Sequence, residues 1–97
     1  MITGLKDRIV IITGAANGIG KSVALKFADE GAHLGLIDID DVEMENVARE
    51  ARRRGVNVHT KRADLSTASG VSSAFDEILS KFQNKVDVLV NNVGSGA

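Results

Sequence analysis

The 97-residue sequence contains no cysteine, proline, tryptophan or tyrosine, and its aromatic content is three phenylalanines. Without cysteine, the chain can form neither a disulfide nor a thiolate metal site. The two histidines, His33 and His59, are far apart and do not have ligand-like spacing, so a place in a strand explains each better than metal binding. The composition therefore excludes a disulfide-stabilised scaffold and argues against a metal protein.

The sequence also lacks an excess of either charge and lacks a long hydrophobic run. The net charge is -1 and the pI is about 6.1, which predicts neither a nucleic acid nor an anionic membrane as partner. The apolar run after the N-terminus is about five residues, too short for a signal peptide or a membrane span. We therefore expect a cytoplasmic protein, with residues 1–97 forming one small domain and no second domain.

Strand-like and helix-like patterns alternate along the chain. The apolar, β-branched segments predict four strands, at residues 8–13, 33–38, 56–60 and 86–92. Apolar residues at helical spacing predict three helices between them. Ile19, Val23 and Phe27 share a face of the first helix, the second helix repeats apolar residues from Met44, and Ser66 or Thr67 can cap the third.

Strands separated by helices in this order are parallel, and right-handed crossovers leave few topologies. The sequence predicts an α/β fold, half of a doubly wound (Rossmann) parallel sheet with strand order 3-2-1-4. The first two helices would cover one face of the sheet and the third helix the other.

The turn after the first strand, TGAANGIG at residues 13–20, is rich in glycine. A helix that begins at such a turn presents free N–H groups and the positive end of its dipole, which together favour an anion. Gly14 would allow the sharp turn, Gly18 the close approach of a phosphate, and Gly20 tight packing of helix on sheet. The spacing is G-x-x-x-G-x-G, and a plain tight turn is the alternative interpretation.

Asp38 ends the second predicted strand, where a carboxylate can accept both hydroxyls of an adenosine ribose. The same charge would oppose the 2′-phosphate of NADP. Asn17 precedes Gly18 and Ile39 follows Asp38, so the sequence predicts no Arg or Lys near the end of the second strand, which we call the adenosine corner. Without a cation to bind the 2′-phosphate, the sequence predicts a preference for NAD over NADP. A helix-capping role is the alternative for Asp38.

Two further groups of candidate binding residues follow the third and fourth strands. Asp64, in the segment ADLS, can accept a hydrogen bond from the adenine amine, and an Asx-type turn is its alternative role. Asn91 begins the segment NNVG, whose two buried amides need partners. One amide would bridge neighbouring strands and the other would face a cofactor, while Gly94 keeps the backbone open.

The segments TGAANGIG, LIDID, ADLS and DVLVNNVG resemble the N-terminal half of the short-chain dehydrogenase/reductase family, from about Arg8 onward. Val93 departs from the alanine that is usual in this family. The resemblance implies a dinucleotide cofactor, NAD, whose adenosine ribose is bound by Asp38. The resemblance also places Gly14, Gly18, Ile19 and Gly20 at the pyrophosphate, Asp64 and Leu65 beside the adenine, and Asn91 and Gly94 near the nicotinamide-side ribose. Asn17 and Ile39 are further candidate residues of the cofactor site.

The catalytic residues of this family are a serine and a Tyr-x-x-x-Lys pair that follow the fourth strand, and this chain contains no tyrosine. We therefore assign no catalytic residue and expect the chain alone to be inactive. The first interpretation is the NAD-binding portion of an oxidoreductase that acts on an alcohol or carbonyl substrate. The alternative is a non-catalytic nucleotide-binding or interaction module. In either case we expect self-association through the fourth strand or an uncovered sheet face.

Overall fold

A computed structural model of the chain describes residues 4–92, in which strands and helices alternate. The elements, in chain order, are β1 (Ile9–Thr13), α1 (Gly18–Asp29), β2 (His33–Asp38), α2 (Asp41–Arg52), β3 (Val58–Arg62), α3 (Ala68–Lys81) and β4 (Val88–Asn91).

All four strands are parallel, and their order in the sheet is β3-β2-β1-β4. Alternate residues of the strands face opposite layers, as the period of a strand requires. Val10 and Ile12 of β1 pack in the layer that contains α1 and α2, whereas Ile11 packs against α3. The predicted fold class, strand order and distribution of helices over both faces are confirmed.

β1 is the centre of the sheet and every one of its residues is buried. A parallel strand that is covered on both faces has no solvent side, so its apolar residues run on without alternation. This explains why IVIIT contains four consecutive large aliphatic residues followed by a single polar one, Thr13.

The packing of α1 differs from the expected pattern. The buried face consists of Gly20, Ala24 and Ala28, whereas Ile19 is 73% exposed and Val23 and Phe27 are only partly buried. The most deeply buried face is therefore the one with the small residues and not the face of Ile19, Val23 and Phe27, because small side chains on α1 allow the helix to lie closer to the sheet than larger ones would.

The limits of three strands also differ from expectation. β1 begins at Ile9 rather than at residue 8. β3 covers residues 58–62 rather than 56–60, because its pairing with β2 begins at Leu34 and Val58. α2 begins at Asp41 and is capped by the side chain of Asp40. β4 begins at Val88. The preceding residue, Asp87, forms hydrogen bonds with the backbone of Ile9 through both its side chain and its own N–H.

β4 pairs with β1 only, so within residues 4–92 its other edge is free. Leu89 faces the α3 side of the sheet and is 53% exposed. A groove of about 420 Å³ lies between α3 and β4, with Val71, Phe75 and Leu89 in its apolar wall. None of the helices in the described range is long and apolar enough to cross a membrane, and the cytoplasmic location stays a prediction.

The contact between β2 and α3 allows a test of the packing. A Cβ atom on Gly35 would overlap Cγ2 of the buried Ile78. We expect Gly35→Ala to lower the free energy of unfolding by about 1–3 kcal/mol, because the core must move to admit the methyl group. Urea denaturation would measure this, with Ser73→Ala on the exposed face of α3 as the control, for which a change within about 0.5 kcal/mol is expected. Equal stability of the two variants would contradict the packing of α3 on Gly35.

Candidate functional site

A cavity of about 400 Å³ lies at the edge of the sheet where the parallel strands end. Its lining brings together residues from the turn after β1 and from the ends of β2, β3 and β4. They are Gly14, Asn17, Asp38, Ile39, Asp64, Leu65, Ser66 and Asn92. The volume is within the range of about 300–1,000 Å³ that is usual for small-molecule sites. Asp38 and Asp64, which the sequence placed after different strands, therefore meet around one opening.

Gly14 and Gly20 make the turn after β1 tight. Gly14 has a φ of +65°, and a Cβ atom on it would overlap the carbonyl oxygen of Asn92. A Cβ atom on Gly20 would overlap the carbonyl oxygen of Gly14 itself. No side chain fits at either position, so the first turn of α1 is packed directly against the end of β1.

Gly18 has a different environment. Its φ is +55°, and a Cβ atom there would have no heavy atom within 4 Å. The adjacent Ile19 is exposed, and Asn17 is exposed as well. The space in front of the N-terminus of α1 is therefore open to a ligand, and it is the left-handed conformation of Gly18, rather than crowding, that disfavours a side chain.

The N-terminus of α1 is left uncapped by its own residues. Asn17 occupies the N-cap position but its side chain makes no capping hydrogen bond, and the first turn contains no acidic residue. In contrast, the N-terminus of α2 is capped by Asp40 and that of α3 by Thr67, which resolves the choice between Ser66 and Thr67. The N–H groups and positive dipole end of α1 are thus available to an anion.

Asp38 is 7% exposed, and both of its carboxylate oxygens accept backbone hydrogen bonds. The N–H of Ala16 donates to Oδ2 at 2.9 Å, and the N–H of Asp40 donates to Oδ1 at 3.0 Å. Asp40, and not Asp38, is the residue that caps α2. Each carboxylate oxygen has a second lone pair, so Asp38 can still accept hydroxyl groups from the cavity.

One expectation about this corner was wrong. The sequence predicted no Arg or Lys near Asp38, but Arg62 ends β3 at the position that pairs in register with Asp38. Its Nε donates to the carbonyl oxygen of Ile39 at 3.1 Å. A cation is therefore present beside the cavity, and it was missed because Arg62 is distant from Asp38 in the sequence.

Asp64 has the turn geometry that was its alternative role. The N–H and the hydroxyl of Ser66 both donate to Oδ1, at 2.9 and 2.6 Å. These bonds to Ser66 lower the pKa of the exposed Asp64 carboxyl, and the charge of Arg62 acts in the same direction. Asp64 is therefore an anion at neutral pH. Oδ2 has no hydrogen bond from a residue in the range 4–92, so it can accept one from a ligand.

The two amides at the end of β4 lie on opposite faces of the sheet. Asn91 accepts a hydrogen bond from the Thr13 hydroxyl at 3.1 Å and lines the groove beside α3. Asn92 donates to the carbonyl oxygen of Gly14 at 3.1 Å and lines the cavity. The sequence did not decide which of the two amides would face a cofactor, and only Asn91 was named as a cofactor residue. The alternation of Val88, Val90 and Asn92 along one face could have identified Asn92. Gly94 lies outside the described residues.

The site contains no cluster that suits a metal ion. Among residues 4–92, no three His, Asp or Glu side chains come close enough to hold one. The chemistry that the cavity offers is hydrogen bonding and charge: a helix N-terminus for an anion, and carboxylate oxygens for hydroxyl or amino groups.

A model of the short chain dehydrogenase family matches residues 8–97 of the chain. The short chain dehydrogenase/reductase dpchG of Colletotrichum higginsianum is 40% identical over 90 residues, which are 93% of this chain and 33% of that protein. The chain spans 31–36% of the length of three such curated relatives and 15% of the length of the probable oxidoreductase EphD of Mycobacterium tuberculosis.

Solved structures with the same fold contain either form of the dinucleotide. L-sorbose reductase from Gluconobacter frateurii, complexed with NADPH and L-sorbose, is 35% identical with a TM-score of 0.91, over 100% of this chain and 37% of that one. NAD+-bound xylitol dehydrogenase is 26% identical with a TM-score of 0.84, over 90% of this chain and 33% of that one. Similar proteins therefore do not decide which form this chain binds.

The double acceptor role of Asp38 gives a prediction. Asn at this position would direct an NH2 group at one of the two backbone donors, so one buried N–H would lose its partner. We expect Asp38→Asn to lower the free energy of unfolding by about 1–3 kcal/mol. Thermal or urea unfolding would measure it, with Asp76→Asn on the exposed side of α3 as the charge-matched control. If Asp38→Asn lowers the free energy of unfolding no more than Asp76→Asn does, the carboxylate of Asp38 does not stabilise the turn after β1.

Proposed function

The chain belongs to the short-chain dehydrogenase/reductase family, and we propose that it is the NAD-binding portion of an oxidoreductase that acts on an alcohol or carbonyl substrate. The observation that carries this proposal is the uncapped N-terminus of α1 behind a glycine turn, at the same sheet edge as Asp38 and Asp64. Family members whose structures contain a dinucleotide support it.

In this proposal the pyrophosphate lies at the N-terminus of α1. The backbone N–H groups of Gly18, Ile19 and Gly20 have no side-chain cap, and the helix dipole favours a negative group there. The open space at Gly18 leaves room for the phosphates. Asn17 stands at the rim of the cavity, where its unbonded amide can donate to a phosphate oxygen.

The adenosine end lies between the ends of β2 and β3. Asp38 accepts the ribose hydroxyls, and its carboxylate disfavours a 2′-phosphate, which gives a preference for NAD over NADP. Ile39 is 46% exposed and, with Leu65, supplies apolar surface for the adenine ring. The free Oδ2 of Asp64 accepts a hydrogen bond from the adenine amine.

The nicotinamide-side ribose is assigned to the end of β4, where Asn91 closes the strand and Asn92 lines the cavity. A bound dinucleotide supplies hydride transfer, and the residues of this chain bind and orient it. No tyrosine is present among the 97 residues, and no residue of the chain is assigned to proton transfer. We therefore expect the chain to bind the cofactor without turning over a substrate.

Titration calorimetry with NAD and NADP tests this assignment on the 97-residue chain. We expect NAD to bind more tightly, by on the order of tenfold, because Asp38 repels the added phosphate. The variant Asp38→Ala should narrow this difference, and Asp76→Ala, which removes an equal charge from the exposed side of α3, should leave it unchanged.

The result also separates the candidate functions. Equal affinities of the unmodified chain for the two dinucleotides would refute the ribose assignment at Asp38. If neither dinucleotide binds at millimolar concentration, the alternative of a non-catalytic interaction module is favoured over a cofactor-binding one.

We also propose that the chain self-associates through β4 and the groove beside α3. The free edge of β4 can pair with another strand, and the exposed Leu89 adds apolar surface to that edge. This surface is the specific observation that favours an interaction role. The groove shares Leu65 and Ser66 with the proposed cofactor cavity, so the two sites adjoin each other.

Sedimentation velocity tests the proposed self-association. The unmodified chain should form dimers or larger species, and Leu89→Lys should shift the distribution toward the monomer, because a charge at a strand edge opposes pairing. Val42→Lys provides the control, since Val42 is a comparable exposed residue, 70% exposed, on α2. A purely monomeric chain at working concentration would rule out this surface as an interface.

A further inference from the structure

Arg62 lies at the adenosine corner although no sequence motif points to it. In β2 and β3, Leu34 pairs with Val58 and Asp38 pairs with Arg62, at the two ends of the same parallel ladder. Register partners on parallel strands direct their side chains to the same face of the sheet. Arg62 therefore emerges on the same face of the sheet as Asp38, next to the lining of the cavity but not part of it.

The guanidinium of Arg62 is held in place by the backbone of the corner. Its Nε donates to the carbonyl oxygen of Ile39, the residue that follows Asp38 and lines the cavity. The positive charge of Arg62 also acts on the carboxyl of Asp64, two residues further along the chain. The hydrogen bonds from Ser66 are the main cause of the lowered pKa of Asp64, and the charge of Arg62 adds to their effect. The hydrogen bond to Ile39 therefore fixes the guanidinium beside the end of β2, next to residues that line the cavity.

The rest of the guanidinium is available to a ligand. Among residues 4–92, Arg62 makes no ion pair, and its terminal nitrogens make no hydrogen bond to the protein. The side chain is exposed. A guanidinium that is anchored through Nε keeps its two NH2 groups free, in a fork whose geometry matches two oxygens of a phosphate.

We propose that Arg62 is a specificity-determining residue of the adenosine corner, which binds a phosphate on the 2′ position of the ribose and so limits the preference for NAD that Asp38 creates. The inference rests on the proposed function, since it concerns the same cofactor site. Asp38 repels a 2′-phosphate and Arg62 attracts it, so that NADP is accepted with reduced affinity rather than excluded.

The alternative role of Arg62 is structural, as a clamp that fixes the carbonyl of Ile39 and joins the ends of β2 and β3. A clamp would affect every adenosine ligand equally, whereas a phosphate contact would affect only those with a 2′-phosphate. The ratio of two affinities therefore separates the two roles where a single affinity does not.

The test uses adenosine 5′-diphosphate and adenosine 2′,5′-diphosphate, because the second compound carries the 2′-phosphate and both dispense with the nicotinamide half. Binding of each to the chain is measured by titration calorimetry for the unmodified protein, Arg62→Gln and Arg62→Lys. Gln can still donate to the Ile39 carbonyl but has no charge, and Lys keeps the charge but lacks the fork. Arg53→Gln is the matched control, because Arg53 is an exposed residue at the C-terminal end of α2.

We expect Arg62→Gln to weaken binding of the 2′,5′-diphosphate by about three- to tenfold and that of the 5′-diphosphate by less than about twofold. Arg62→Lys should give an intermediate loss, and Arg53→Gln should leave the ratio of the two affinities unchanged. The loss caused by Arg62→Gln should shrink when the salt concentration is raised, because an exposed ionic contact is screened.

Three results would overturn the inference. Equal losses for both compounds in Arg62→Gln would assign Arg62 the clamp role only. An equal change of the ratio in Arg53→Gln would assign the effect to net charge, and unchanged affinities of Arg62→Gln for both compounds would exclude the phosphate contact. If the unmodified chain binds neither diphosphate nor NAD, the proposed function itself fails, and that outcome is distinguishable from the three above.

Discussion

The carboxylate of Asp38 connects three parts of the molecule, and the geometry of the cavity depends on it. One oxygen accepts from Ala16 in the glycine turn and the other accepts from Asp40 at the start of α2. A nearly buried anion is tolerated there because backbone donors replace the water that it loses. The group proposed to recognise the ribose is thus the same group that positions the turn proposed to hold the pyrophosphate, so the two subsites are not independent.

The small residues of α1 have a comparable effect on the other side of the turn. Gly20 has no room for a side chain against Gly14, and Ala24 and Ala28 continue this close contact along the helix. The close packing brings the N-terminus of α1 to the edge of the sheet, next to the end of β1. Larger residues at these positions would move the helix away from the strand and its free N–H groups away from the cavity.

The sequence was sufficient for the architecture because the physical signal was strong: buried parallel strands read as apolar runs, and right-handed crossovers restrict their order. The sequence was less informative where residues that are close in space but distant in the chain determine which side chains are buried. Ile19 follows the helical period yet is exposed, because the contact face of α1 is set by how closely the sheet approaches it.

Arg62 and Asn92 show the same limit for the site. Arg62 bonds to a residue 23 positions away in the sequence, and only the register of β2 with β3 brings the two together. Asn92 belongs to the cavity because of strand alternation, a signal that was present but was outweighed by the motif around Asn91. The two roles expected for Asp64, the Asx-type turn and a hydrogen bond from adenine, are compatible with each other. The turn uses Oδ1, and Oδ2 has no partner among residues 4–92.

The position of β1 at the centre of the sheet has a consequence for synthesis of the chain. β1 is the first strand to be made, yet its partner on one side is β4, and the bond between Thr13 and Asn91 spans 78 residues. At a translation rate of about 5–20 residues per second, the ribosome takes about 4–16 s to make that interval. During this time one edge of this apolar strand has no partner, so it is open to pairing with other chains until β4 has been made.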